Sequence, residues 1–280
     1  MAVSDLAGRL GFDKAARLLI VNCDDLGYCH AANLATHRAL VHGIATDATL
    51  MVPCPWAPEA VRLCRGFPIG VHLTLTSEYE GYRWRGLTRG ATLHDAAGFL
   101  PRTGAEVLDR LTAEDARAEC LAQIETALSW GVDVTHLDAH MGVMQDRADL
   151  FDVYLDLAAR FRIPVRMAPA DHTDRQDFGP RERATARGIL FNEHMLYAWP
   201  TPTGATLRAE LPRLPAGVTE VFAHPAFDGE ELRGHGSMAH TLRCDDAQTL
   251  VDPDLAALIT RHGVTRIGFL ALRDLQRRGG

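Results

Sequence analysis

Several protein classes are excluded by what this 280-residue chain lacks. No Cys-x-x-Cys pair occurs among its six cysteines (23, 29, 54, 64, 120 and 244), which argues against a structural zinc knuckle or a dithiol redox motif. A chain of this length needs no disulfide staples, so reduced thiols and a cytoplasmic location are expected. No run of about 18 apolar residues exists, so no membrane-spanning helix is expected. The first fourteen residues carry Asp5, Arg9 and Asp13 and no long apolar stretch, unlike a secretory signal. Excess positive charge is missing too. The net charge is -7, and Arg277-Arg278 is too short a basic patch to suggest a nucleic-acid partner. Asp24-Asp25-Leu26-Gly27 stands where a dinucleotide-binding fold would place Gly-x-Gly-x-x-Gly. No Gly-x-x-x-x-Gly-Lys loop is present, and Ser77 and Ser129 lack the Gly-x-Ser-x-Gly context of a serine hydrolase.

What is present is a large apolar fraction, 47%, with 23% charged residues, enough for a sizeable core. Short apolar runs alternate with amphipathic stretches. Strands are expected at 18–21, 47–52, 69–73, 134–137, 164–167, 220–223 and 265–269. Helices are expected at 30–41, 57–64, 113–130, 149–162, 255–262 and 271–278. Residues 168–204 show no dominant period, and 76–104 read as a long irregular loop, a kind uncommon unless functional. This alternation implies parallel strands with crossover helices. The fold class expected is α/β, a distorted (β/α) barrel formed by one domain over 1–280, with a doubly wound sheet as the rival.

Polar residues gather where the expected strands end. In a parallel barrel those ends converge on one mouth. The first ends in Asn22-Cys23-Asp24-Asp25, the third in His72, the fourth in His136-Leu137-Asp138-Ala139-His140, the fifth near Arg166 and the sixth near His224-Pro225. One carboxylate of Asp24-Asp25 can bind a metal while its neighbour takes a proton from water, and spacing does not order the two roles. His136, Asp138 and His140 share one face of an extended segment, a natural mixed donor set for a divalent cation. His140, the last of the run, is favoured as the ligand, with Asp138 or His136 orienting one. His224 suits a general acid and Arg166 a partner for a carboxylate. The histidines at 30, 37, 42, 94, 172, 194, 235, 240 and 262 have no supporting pattern.

The segments Val21-Asn22-Cys23-Asp24-Asp25-Leu26-Gly27, Ile69-Gly70-Val71-His72-Leu73-Thr74-Leu75-Thr76, Thr135-His136-Leu137-Asp138-Ala139-His140-Met141-Gly142 and Val221-Phe222-Ala223-His224-Pro225 resemble the YdjC-like carbohydrate deacetylases. The four motifs stand in the family's order, and the resemblance spans about 18–275. It implies a distorted (β/α) barrel that removes an N-acetyl group from a sugar such as a chito-oligosaccharide. It implies Asp25, His72 and His140 as ligands of one divalent metal, Mg²⁺ first with Zn²⁺ and Mn²⁺ as alternatives. It implies Asp24 as base, His224 as acid and Arg166 as the residue that steadies Asp24. Met141 to Met144 depart from the further histidines that many relatives carry there. Residues 77–104 are expected to cover the site, with Tyr79, Tyr82, Trp84 and Arg85 packing on a sugar face and bonding its hydroxyls. The rivals are a metal hydrolase of another amide or a phosphoester, and a non-catalytic sugar-binding protein. The expected partner is a small N-acetylated sugar, with no nucleic acid and no membrane, and a homodimer is the default assembly.

Overall fold

The computed structural model describes residues 5–236 and 239–279. Seven strands run in chain order: β1 (Arg17–Leu26), β2 (Asp47–Leu50), β3 (Ile69–Leu73), β4 (Val134–Ala139), β5 (His194–Leu196), β6 (Gly217–Ala223) and β7 (Val264–Arg266). All pair in parallel, in the order β4-β3-β2-β1-β6-β5. β7 joins β1 at Arg17, Leu18 and Leu19, below the stretch that β2 takes. Single bridges Leu137–Val165 and Val165–Phe191 carry the pairing on from β4 towards the segment before β5. The parallel sheet thus curls into a distorted barrel with helices outside it. The strand expected at 164–167 is reduced to those bridges. Pro164 has no N–H to give, and Val165 and Arg166 donate instead to Leu190 and Leu137.

β1 shows why the sheet is central. Leu18, Leu19, Ile20 and Val21 are fully buried, as a strand covered on both faces requires. Its polar end does not leave the interior: Asn22, Asp24 and Asp25 are buried too. The β1–β2 register shifts between Cys23 and Leu26, and Asp25 sits at φ 61°. An L-residue in the left-handed region is strained by about 1–3 kcal/mol and persists only where its surroundings hold it. This irregularity sends the Asp24 and Asp25 side chains to different partners.

Residues 74–103 contain no helix or strand, as expected. They are anchored from beneath by the helix Ala113–Ser129. Gln123 brackets Thr74, accepting from its N–H at 2.9 Å and donating to its carbonyl at 2.8 Å. Glu119 accepts from the N–H groups of Leu87 and Thr88. Asp115 accepts from the Thr92 N–H and hydroxyl. All six cysteines are free, and no helix among the described residues is long and apolar enough to cross a membrane.

The buried carboxyl of Asp47 ties β2 to the C-terminal helix by accepting the Phe269 N–H at 3.0 Å. Burial raises its pKa to about 7, against about 3.9 for an ordinary Asp. Between these values the folded chain keeps a proton that the unfolded chain has lost. The stabilising contribution is therefore complete below about pH 4 and is lost as pH rises through about 7. Asp47→Asn should gain stability over the parent by about 2 to 3 kcal/mol more at pH 8 than at pH 5. Urea unfolding in a chelating buffer measures this, and an equal difference at both pH values would contradict it.

Candidate active site

Asp25 from the end of β1, His72 from β3 and His140 from the turn after β4 meet in one place. His72 Nε2 lies 3.3 Å from Asp25 Oδ1, His140 Nδ1 lies 3.2 Å from the same oxygen, and the two nitrogens are 3.3 Å apart. A cation about 2.1 Å from each of three such donors would set neighbours about 3.0 Å apart in octahedral geometry and about 3.4 Å apart in tetrahedral geometry. The observed edges fall between. Asp25 Oδ1 is buried and has no hydrogen-bond partner among the described residues, although Oδ2 accepts from Arg243 NH2 at 2.6 Å. A buried carboxylate oxygen left bare between two ring nitrogens fits a cation's coordination shell. Asp25, His72 and His140 thus form a group that could hold a metal ion.

The far side of each imidazole supports this. His72 Nδ1 lies 2.6 Å from Asp138 Oδ1, and the two residues are register partners across β3 and β4. Thr49 donates to the other Asp138 oxygen at 2.9 Å. His140 Nε2 lies 3.1 Å from Glu78 Oε2. A carboxylate on one ring nitrogen holds the proton there and leaves the other nitrogen's lone pair for a metal. Burial alone would lower both histidine pKa values. The Asp138 carboxylate, with Asp25, outweighs it and raises His72 to about 9, while Glu78 and Asp25 raise His140 to about 10. A cation held there would therefore compete with protons for the same two nitrogens.

Beside the triad stands a second network. Arg166 grips Asp24 with two hydrogen bonds, 2.6 and 2.7 Å, and also lies 2.9 Å from Asp138 Oδ2 and 2.7 Å from Glu220 Oε1. Asn22 donates to Asp24 Oδ1 at 2.7 Å. An Asp24 oxygen is within 4.8 Å of a His72 ring nitrogen. Burial pushes Glu220 up to about 7 against the opposing pull of Arg166. His224 Nε2 is 4.0 Å from Asp24 Oδ2, so an oxygen or nitrogen held between them could touch both. Its backbone N–H donates to Asp246, and its ring meets Trp199 and Phe222 edge-on. Burial lowers the His224 pKa.

The triad, Asp24, Arg166, His224 and Arg243 open on a cavity of about 1220 Å³ at the carboxyl ends of the strands, lined also by Glu78, Tyr79, Met141, Tyr197 and Trp199. The predicted residues Asp24, Asp25, His72, His140, Arg166 and His224 all line it. Trp84 and Arg85 do not, which corrects the expectation that they face a sugar. Trp84 is buried with its indole N–H on the Thr76 carbonyl, and Arg85 lies over the Phe99 ring at 5.2 Å. Tyr82 stacks on His235 and donates to the Tyr28 carbonyl. Tyr79 lines the cavity, but its hydroxyl accepts from Arg243 at 3.1 Å. His136 lies away from the donors. Its ring stacks on Phe269 at 3.9 Å and abuts Gly70, where a Cβ would come within 2.6 Å of the imidazole.

The sequence pattern does not mark Glu78, Glu220, Arg243 or Trp199, nor the place of His172 and His235 at the cavity. Glu78 directly follows the Thr74-Leu75-Thr76-Ser77 continuation of the His72 motif, and that adjacency was the usable signal. Arg243 carries no local signal, since it reaches Asp25 across 218 residues of sequence. Asp228, His240 and Cys244 form another possible donor group, but Arg233 already pairs with Asp228.

A family model described as YdjC-like protein matches residues 18–261. A carbohydrate deacetylase of Thermoanaerobacter pseudethanolicus is 27% identical over 262 residues, 92% of this chain and 100% of the relative. One of Geobacillus stearothermophilus is 31% identical over 257 residues, 90% and 97% of the two chains. One of Thermus thermophilus is 42% identical over 159 residues, 57% and 56% of the two chains. A crystal structure from Enterococcus faecalis V583, of a protein assigned to cellobiose-phosphate cleavage, superposes with a TM-score of 0.81 at 24% identity, covering 92% of this chain and 99% of the other. That likeness shows the shared fold.

The geometry separates the two histidines of the β4 motif. His140→Ala and His72→Ala should each weaken Mn²⁺ binding by about 100-fold or more, as loss of a ligand does, whereas His136→Ala should keep one Mn²⁺ per chain and lose only thermal stability. Electron paramagnetic resonance titration reads this directly, and loss of Mn²⁺ in His136→Ala alone would overturn the ligand set.

Proposed function

Since the chain belongs to the YdjC-like protein family, we propose that it is a carbohydrate N-deacetylase, a hydrolase that frees acetate from an N-acetylated sugar and leaves an amino sugar. Relatives that align over nearly their whole length carry the name carbohydrate deacetylase. The observation that carries the reading is the bare, buried Asp25 Oδ1 in contact with two oriented imidazoles, beside an arginine-clamped carboxylate and a histidine in the same cavity.

Asp25, His72 and His140 would hold the divalent cation, with Mg²⁺ the first choice and Zn²⁺ or Mn²⁺ the alternatives. When bound there, such a cation supplies Lewis-acid polarisation of the acetamide carbonyl, a poor electrophile otherwise, and makes water more acidic. Asp24 takes the proton of the attacking water. Arg166 and Asn22 fix its orientation through a two-pronged guanidinium bond and an amide donor. His224 delivers a proton to the departing amine nitrogen, which leaves poorly without one. Its lowered pKa means that it holds that proton loosely. The cavity is wide enough for more than one sugar ring, so chito-oligosaccharides are the substrates to test first.

Acetate release from N-acetylglucosamine and its β-1,4 dimer and trimer, with each metal, tests the reading. Asp24→Asn should lower kcat by about 10²- to 10⁴-fold with Mn²⁺ affinity little changed. Phosphate release from sugar phosphates without acetate release from any sugar would contradict a deacetylase, and unaltered turnover in Asp24→Asn would remove its role as base.

A further inference from the structure

The long segment after β3 reads in sequence as a cover for substrate, but its first residues face the metal ligands from outside. Glu78 Oε2 is 3.1 Å from His140 Nε2, the ring nitrogen turned away from Asp25 and His72. A neutral imidazole carries one ring proton, and a carboxylate at Nε2 draws it there. The lone pair is then left on Nδ1, 3.2 Å from Asp25 Oδ1. The next residue, Tyr79, accepts from Arg243 NH2 at 3.1 Å, and that same nitrogen donates to Asp25 Oδ2 at 2.6 Å. Two consecutive residues of the segment thus stand behind two of the three ligands. The third ligand, His72, has its partner Asp138 within the barrel itself.

Arg243 is committed to this arrangement. It is buried, Asp25 is the carboxylate with which it forms an ion pair, and Nε and NH1 have no hydrogen-bond partner among the described residues. A guanidinium desolvated this far is costly unless its remaining pair is well made. That pair occupies Oδ2 of Asp25 and leaves Oδ1 as the oxygen presented to His72 and His140. The segment bearing Glu78 and Tyr79 is held in turn by Gln123, Glu119 and Asp115, so its position is set by the barrel's own helix.

We infer that Glu78 and Arg243 are positioning residues of the cation site, and that the 74–103 segment governs cation affinity through them. This rests on the reading of Asp25, His72 and His140 as the ligands. The test measures Mn²⁺ dissociation constants for the parent, Glu78→Ala, Glu78→Gln and Arg243→Lys, with KM for an acetylated chito-oligosaccharide at saturating Mn²⁺. Circular dichroism confirms that each variant is folded. Glu78→Ala should weaken Mn²⁺ about 10- to 100-fold. Glu78→Gln, which keeps an acceptor for the His140 N–H, should recover most of that loss, and Arg243→Lys should fall between the parent and Glu78→Ala. KM should stay within about twofold throughout. Unchanged Mn²⁺ affinity in Glu78→Ala with a raised KM would overturn the inference and make the segment a substrate cover. A parent that binds no Mn²⁺ stoichiometrically would remove the ligand assignment itself, a result distinguishable from the failure of the two positioning roles alone.

Discussion

An excess of buried negative charge organises this site. The carboxylates of Asp24, Asp25, Asp138 and Glu220 are buried in one connected network, and the buried cations set among them are the guanidiniums of Arg166 and Arg243. Buried charge of one sign is costly unless it is compensated, and with all four carboxylates ionised the shortfall is two positive charges. Those charges can come from protons on His72 and His140, whose pKa values rise to about 9 and about 10, or from one divalent cation among the same donors. Glu220, raised to about 7, can relieve part of the excess by taking a proton.

The fold makes this accumulation possible by bringing strand ends together. The irregularity at the end of β1 separates neighbouring carboxylates, directing Asp24 to Arg166 and Asp25 to the two histidines and Arg243. Register across β3 and β4 sets His72 beside Asp138. After β4 the chain turns sharply through Met141 and Gly142, both at positive φ, immediately after His140. Arg166 comes from a stretch that forms only a single bridge on each side, yet its guanidinium ties β1, β4 and β6 together through Asp24, Asp138 and Glu220.

Much of this was legible in the sequence, for identifiable reasons. The apolar runs that become β1, β3 and β6 end in polar residues, and in a parallel barrel that pattern points to one mouth. The spacing of His136, Asp138 and His140 revealed a shared face, but not that His136 would sit one step below it, stacked on Phe269. Trp84 and Arg85 misled because aromatic and basic residues in an irregular segment look like sugar contacts. Only the packing shows that the Trp84 indole serves the Thr76 carbonyl. Arg243 and Glu220 were invisible because their meaning lies in partners distant in sequence, Asp25 for one and Arg166 for the other. The helix His240–Thr249, which carries Arg243, has no strong apolar period to announce it.

The central claim is that these three donors hold one divalent cation. The most direct measurement is the anomalous scattering of crystals grown with Mn²⁺ and collected near its absorption edge. The account predicts a single strong peak in the cavity, bonded to Asp25 Oδ1, His72 Nε2 and His140 Nδ1. A peak at other residues with these three left unliganded, or no peak at saturating Mn²⁺, would contradict it.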